Sequence, residues 1–327
     1  MIDPIRFHHE CVIVDGLNAS WFFEDAVFRN LHQSGVTVVN ATVAAWQNPA
    51  ETIDFVGQMY QKLEKHSDIA LQVRCMADIE TARASSRVGM ILGFQDTSPV
   101  ADQIHLLRVY HELGIRIMQL TYNTENRVGF GCQAPEDKGL TDYGRQVIAE
   151  MNRLGILIDL SHCGPRTTME AIEASAGPVA ITHANPASQF PHPRNKSDDI
   201  IRALVDKGGV IGALSFPAMI TSQLPASIEN YLDVIDYLVT LVGVDSVGLG
   251  PDFMEHMPPE IEEAALKALP PDMQTLFRNM PPVERFSSIV DLPNVTAGLL
   301  KRGYSEADAA KILGQNWIGL YRRVWRN

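Results

Sequence analysis

The chain has 327 residues, of which 46% are hydrophobic and 20% charged, a composition typical of a globular protein that buries a large core. A formal charge of -12 at pH 7 disfavours nucleic-acid partners and acidic membrane surfaces. The four cysteines lie far apart, and no window approaches the ~20 apolar residues that span a bilayer. We therefore predict a cytoplasmic protein without a membrane partner, whose partner is a small-molecule substrate.

Short apolar runs alternate with amphipathic helical stretches along the whole chain. Their near-continuous hydrophobicity is typical of parallel strands that are buried on both faces. The eight candidate strands are 11–15, 36–42, 88–94, 115–121, 156–161, 178–182, 209–215 and 246–250. Helices are expected near 24–34, 50–65, 100–112, 142–154, 165–175, 198–207 and 226–242. This alternation predicts an α/β fold, a closed (β/α)8 TIM barrel, and the run 69–73 is a ninth strand candidate outside the barrel.

One domain over residues 1–327 is expected, because β/α barrels commonly exceed 250 residues as a single unit. The proline-rich segment 254–285 is predicted to be an irregular loop that carries a short helix at 260–268. It follows a strand end directly, so we expect it near the mouth of the barrel. Residues 286–327 are predicted to form C-terminal helices that pack on the barrel.

Polar residues stand where three of the predicted strands end. His162 follows the run GILIDLS, His183 follows PVAIT, and Asp252 follows SVGLGP. In a parallel β/α barrel the carboxyl ends of the strands form the active-site face, so these side chains are expected to converge. Two imidazoles and a carboxylate in one pocket can hold a metal ion or transfer protons.

Several motifs in one order carry a family resemblance. They are Asp15-Gly16, GIRIMQLTYN at 114–123, IDLSH at 158–162, THANP at 182–186, PRN at 193–195, GLGPDF at 248–253 and GQNW at 314–317. From about Val12 to Val324 the chain is similar to the membrane dipeptidase (renal dipeptidase) family of the amidohydrolase superfamily. The resemblance implies a barrel of the metallo-dependent hydrolase type with two zinc ions, in which a metal-bridging hydroxide attacks the peptide bond of a dipeptide.

Four functional positions of that family match residues of this chain. His162 and His183 match the histidines that bind the second metal ion. Arg194 matches an arginine that contacts the substrate, and Asp252 matches the aspartate that transfers protons. The resemblance therefore implies a metal-binding, a substrate-binding and a catalytic role for these residues.

Other positions depart from the family pattern. Leu17 and Ala19 stand where the family has the His and Asp that bind the first metal ion. Gln95 replaces the bridging glutamate, and Tyr122 replaces the histidine that steadies the tetrahedral intermediate. Two adjacent divalent cations require carboxylates to offset their repulsion, and two of those carboxylates are gone. We therefore expect one zinc or other divalent ion at most, or none.

The leading hypothesis is a dipeptidase-like amidohydrolase that cleaves a small amide with this reduced metal site. Asp252 would activate water and Tyr122 would support the tetrahedral intermediate. Arg194 would bind a substrate carboxylate, with Gln95 and Asn123 as further substrate-binding residues.

Two other hypotheses stay open from the sequence. The barrel could be a non-catalytic binder of small molecules, or it could be a metal-free lyase or isomerase that uses His, Asp and Tyr. A homodimer through the stripe of Trp317, Tyr321 and Trp325 is a further hypothesis, although their spacing of four favours packing in the core.

Overall fold

A computed structural model describes residues 3–267, 274–275 and 278–325 of the chain and contains nine parallel strands within them. The strands are β1 (Val14–Asn18), β2 (Val38–Ala44), β3 (Ala70–Gln72), β4 (Val88–Phe94), β5 (Ile115–Gln119), β6 (Leu157–Asp159), β7 (Ala180–Ile181), β8 (Val210–Ala213) and β9 (Val247–Leu249). Eight of them pair in the order β2-β1-β9-β8-β7-β6-β5-β4, and β4 pairs again with β2. This ring is a closed (β/α)8 barrel, as predicted.

Helices connect the strands and surround the barrel. They are α1 (Pro4–Glu10), α2 (Asp25–Gln33), α3 (Pro49–Lys65), α4 (Met76–Ala84), α5 (Leu106–Glu112), α6 (Asp142–Leu154), α7 (Pro165–Ala174), α8 (Asp198–Asp206), α9 (Ile228–Val242), α10 (Pro259–Lys267), α11 (Leu292–Lys301), α12 (Glu306–Ala310) and α13 (Asn316–Val324). Local chemistry sets their limits. The hydroxyl of Thr141 accepts the Gly144 amide at the start of α6, and Gly155 ends that helix at φ 78°.

The eight predicted barrel strands are present, and the run 69–73 contains β3, which pairs with β4 outside the ring. The predicted limits of the first strand, 11–15, were wrong, because β1 spans Val14–Asn18. A register shift between Asp15 and Asn18 lets the strand continue through these polar residues, and Asn40 donates to the Gly16 carbonyl over 2.9 Å. The neighbouring strand β2 thus bonds the backbone of a segment whose polar sequence is typical of a loop.

Helix prediction failed at three places. The helix expected over 100–112 begins only at Leu106, after a short 3-10 turn at Ser98–Val100. Helices α1 and α4 were not predicted, and the Asp3 carboxylate caps α1 while Asp78 bonds the Cys75 amide at the start of α4. Both helices are short and depend on these caps more than on an apolar stripe.

The predicted segment 254–285 contains α10, close to the short helix that we expected there. Its residues 268–273 and 276–277 lie outside the described residues, as do residues 326–327 of the C-terminal segment. Among the helices that the structure describes, none has the length and apolar character needed to cross a bilayer.

The C-terminal helix α13 closes the bottom of the barrel. Trp317 and Tyr321 are fully buried and Trp325 is 7% exposed, and they pack with residues from the barrel interior such as Val14 and Ile117. The indole Nε1 of Trp317 donates to the Leu249 carbonyl over 3.0 Å. The aromatic stripe is therefore part of the core, and it does not offer the dimer surface that we considered.

Candidate active site

Two imidazoles meet at the carboxyl ends of neighbouring strands. His162 lies three residues beyond β6 and His183 two residues beyond β7, and their side chains are 5% and 0% exposed. Their Nε2 atoms are 2.9 Å apart. The structure thus brings together the two histidines that the sequence placed at strand ends.

The Nδ1 atom of each imidazole is hydrogen-bonded to an oxygen atom of a neighbouring side chain. Nδ1 of His162 donates to Oδ1 of Asn123 over 2.7 Å, since an amide oxygen can only accept. The Thr182 hydroxyl donates to Asp159 over 2.6 Å, which leaves its oxygen to accept the Nδ1 proton of His183 at 2.8 Å. With both Nδ1 atoms protonated, both neutral rings present a lone pair at Nε2, as metal-binding histidines do.

A buried carboxylate supports this arrangement from below. Asp159 is 1% exposed and accepts from the amide and hydroxyl groups of both Ser161 and Thr182. Burial raises the pKa of Asp159, while these donors oppose the shift by stabilising the charged form. Its Oδ2 lies 4.0 Å from Nδ1 of His183, so it orients this ring through Thr182.

Burial holds the pKa of both His162 and His183 well below the ordinary value, and the nearby charges of Arg194 and Lys196 lower it further. Both rings are therefore neutral near pH 7. Two facing lone pairs at 2.9 Å repel each other unless a proton lies between them or a metal ion to one side accepts both.

Two buried cations flank the histidine pair. Arg194 is 3% exposed and donates to the carbonyls of Ser161 and His183 over 2.6 and 2.8 Å. Lys196 is 2% exposed and donates to the Cys163 carbonyl over 2.6 Å. Among the described residues neither cation has a carboxylate within salt-bridge distance, which makes this part of the site attractive to an anion.

Asp252 lies three residues beyond β9 with a left-handed backbone, at φ 62°. Within the described part of the chain its carboxylate makes no hydrogen bond or ion pair, while its amide donates to the Leu17 carbonyl. Burial raises the pKa of Asp252 to about 7, although the charge of Arg194 lowers it and Asp159 raises it. A carboxylate with this pKa can accept and return a proton near neutral pH.

Of the remaining predicted site residues, Tyr122 and Asn123 contact His162 and Gln95 does not. The ring of Tyr122 stacks on His162, with centroids 4.0 Å apart, and burial together with Asp252 raises the pKa of its hydroxyl, which therefore stays protonated. Asn123 accepts a hydrogen bond from His162 and thus positions its ring, while its substrate contact stays a prediction. Gln95, by contrast, donates to the Thr42 hydroxyl over 2.9 Å, and no described contact joins it to the histidine pair.

A cavity of about 530 Å³ opens between the loops that follow β1 and β9. It is lined by Trp21, Glu24, His256, Met257, Pro258, Pro259 and Glu260. The Trp21 amide donates to the Glu255 carbonyl over 2.8 Å, which joins the two loops. Part of the predicted mouth segment therefore borders an open space on the active-site face.

Comparison with known proteins identifies the family. The family model of the membrane dipeptidases (Peptidase family M19) matches residues 14–270. This chain belongs to the membrane dipeptidase family. An amidohydrolase from Pseudomonas aeruginosa is 34% identical, each chain covers 99% of the other, and the two structures superpose with a TM-score of 0.93.

Curated members of the membrane dipeptidase family are more distant. Dipeptidase tcpJ of Claviceps purpurea is 27% identical over 84% of this chain, and dipeptidase aclJ of Aspergillus oryzae is 29% identical over 77%. The aligned region spans 60% of the length of each relative. A metallopeptidase from Rhodobacter sphaeroides, solved with a phosphinate mimic of a dipeptide, is 18% identical with a TM-score of 0.82, and it supports the fold alone.

Membrane dipeptidases are metal-dependent, so the donor atoms of this chain have to be compared with a metal centre. Among the described residues, no three His, Cys, Asp or Glu side chains surround a common point. The ligand set that a centre with two metal ions needs is thus not assembled among these residues. Two Nε2 atoms 2.9 Å apart can both lie about 2.0–2.1 Å from one ion, so the histidine pair would supply two ligands to a single ion and its other ligands would come from elsewhere.

The sequence did not point to Asp159, Thr182 or Lys196. Asp159 and Thr182 are polar residues within apolar runs, and that contrast was the available signal. Lys196 had none, because its partner Cys163 is 33 residues away in the sequence.

Proposed function

We propose that this membrane dipeptidase family member hydrolyses dipeptide-like substrates that carry a free carboxylate, with at most one divalent metal ion. The main support is the arrangement of Asp252. Its carboxylate is partly exposed, its pKa is raised to about 7, and it has no hydrogen-bond or ion-pair partner among the described residues. A group with these properties is suited to act on a bound substrate.

Each residue has a role in this reaction. Arg194 binds the substrate carboxylate, because its charge is buried without a protein counter-ion among the residues that the structure describes. Asp252 takes a proton from the attacking water and delivers it to the leaving amine. The Tyr122 hydroxyl donates a hydrogen bond to the carbonyl oxygen of the substrate as negative charge develops on that oxygen.

A metal ion on His162 and His183 would act as a Lewis acid on the substrate carbonyl. Asn123 and Thr182 hold the two imidazoles with their Nε2 lone pairs facing each other. The cations Arg194 and Lys196 oppose a further positive charge at this point. We therefore propose that the ion, zinc or another divalent metal, is held more weakly than in a centre with carboxylate ligands.

A metal-free lyase or isomerase is a second candidate. The distance of 2.9 Å between the two Nε2 atoms is also a normal hydrogen-bond length. In that case a proton would lie between the rings, against the lowering of both pKa values by burial. Product analysis separates the candidates, since hydrolysis releases two amino acids from each dipeptide and incorporates one water.

The non-catalytic alternative receives less support. An ion pair between Asp252 and Arg194, together with a pocket filled by side chains, would favour it, and within the described residues no such ion pair forms at 4.0 Å or less. Each charge thus remains available to a ligand.

Arg194→Met is expected to weaken substrate binding, because the uncharged side chain cannot pair with the carboxylate. We expect KM for a dipeptide to rise by about 10- to 100-fold. The measurement compares a free dipeptide with its C-terminal amide in wild type and variant. Wild type should prefer the free acid, and the variant should lose that preference.

An equal rise in KM for the free dipeptide and for its amide would instead assign Arg194 a purely structural role, through its hydrogen bonds to the Ser161 and His183 carbonyls. Arg202→Met, which removes a solvent-exposed arginine of α8, is the matched control and should leave the preference unchanged.

We also propose a cytoplasmic location, supported by four cysteines that are all free thiols.

A further inference from the structure

An exposed tryptophan stands next to the aromatic residue of the active site. Trp46 follows β2 and is 55% exposed, which is unusual for so large an apolar side chain. Its ring meets the Tyr122 ring edge to face, with centroids 4.7 Å apart. The Tyr122 ring in turn stacks on His162. A continuous aromatic surface therefore runs from the histidine pair out to solvent.

The backbone around Trp46 is firmly held. The Ala45 amide donates to the Gln47 side chain over 2.7 Å, and Asn48 caps α3 in a reciprocal pair with Glu51. The backbone N–H of Gln95 donates to the Ala44 carbonyl over 2.9 Å. The indole is thus exposed on a loop whose backbone is already ordered. A ligand that covers the indole therefore binds with little loss of conformational entropy in this segment.

We infer that Trp46 and Tyr122 form an aromatic wall that binds a large apolar or aromatic side chain of the substrate. This inference rests on the proposed function and narrows its substrate class. Apolar groups gain by leaving water against an aromatic face, and aromatic rings add a preference for stacked or edge-on contact. The Arg194 charge binds one end of the substrate, and the wall selects the side chain that lies next to the histidine pair.

Trp46→Ala tests the inference through a ratio of rates. We expect wild type to hydrolyse phenylalanyl-alanine or alanyl-phenylalanine with a kcat/KM about tenfold above that for alanyl-alanine. Trp46→Ala should reduce this ratio to near one, chiefly through KM, and Trp46→Phe should retain most of it. Ile53→Ala, which truncates a side chain of α3 that is 49% exposed, should keep the wild-type ratio.

A ratio that survives in Trp46→Ala would overturn the inference, as would a wild type that prefers alanyl-alanine. Calorimetry with phosphinate mimics of the same dipeptides separates this outcome from failure of the proposed function. If no dipeptide is turned over, the proposed hydrolysis fails. The wall would still predict about tenfold tighter binding of the phenylalanine mimic, lost in Trp46→Ala, and equal binding of the two mimics would contradict it.

Discussion

Asp252→Asn is expected to lower kcat/KM for dipeptide hydrolysis by about 10²- to 10⁴-fold, because the amide has nearly the same shape but cannot accept a proton. The fold should be preserved, since the side chain makes no hydrogen bond or ion pair with the described residues that the substitution would break. Steady-state kinetics, with the melting temperature as a check on folding, measure the effect.

The pH dependence gives the same prediction a second readout. Asp252 has to be ionised to accept a proton, and burial raises its pKa to about 7. In wild type kcat/KM should therefore rise with pH up to about 7 and then level off. The residual activity of Asp252→Asn should lack this acidic limb. A variant that keeps both the limb and the wild-type rate would remove Asp252 from the reaction.

Trp317→Ala is expected to lower the free energy of unfolding by about 3–5 kcal/mol, the usual cost of truncating a large buried aromatic side chain. The indole fills the bottom of the barrel against Gly16 and Gly248, where an added Cβ would come within 3 Å of it. Its bond to the Leu249 carbonyl is lost as well. Urea denaturation followed by circular dichroism measures the change.

Trp46→Ala is the matched control for stability, because it removes the same side chain at a site that is 55% exposed. We expect its loss of unfolding free energy to be less than about 1 kcal/mol. Similar losses in the two variants would show that Trp317 is not the main support of the barrel floor.

The barrel was predictable because two signals coincide in the sequence. Parallel strands buried on both faces appear as uninterrupted apolar runs such as VGMILGF at 88–94. Left-handed glycines such as Gly155 mark where the helices end. The extent of β1 was not predictable, since Asp15 and Asn18 belong to a strand through a bond to each other and through pairing with β2 and β9, which are distant in the sequence.

The site was predictable in part for the same reason. His162, His183 and Asp252 each follow an apolar run, and the barrel places such positions on one face. The structure brings the two histidines into contact. Among the described residues no hydrogen bond or ion pair joins Asp252 to them, so its place in the same pocket stays a prediction. The aromatic contact of Trp46 with Tyr122 joins residues 76 positions apart, for which a single sequence offers no signal.

Gln95 shows the limit of transferring roles by position. Its position in the family pattern matches the bridging metal ligand, yet its side-chain amide donates to the Thr42 hydroxyl. The role of a polar side chain depends on the neighbour that it bonds, and that neighbour lies on another strand. Its proposed substrate contact therefore stays a prediction.

The most direct test of the account measures metal content and turnover on the same sample. Chelator-treated protein is supplied in turn with zinc, manganese, cobalt or magnesium, and bound metal and dipeptide hydrolysis are determined together. We predict hydrolysis with at most one ion per chain, lost in His183→Ala together with the ion if an ion is bound. Two ions per chain, or no hydrolysis of any dipeptide with or without added metal, would contradict it.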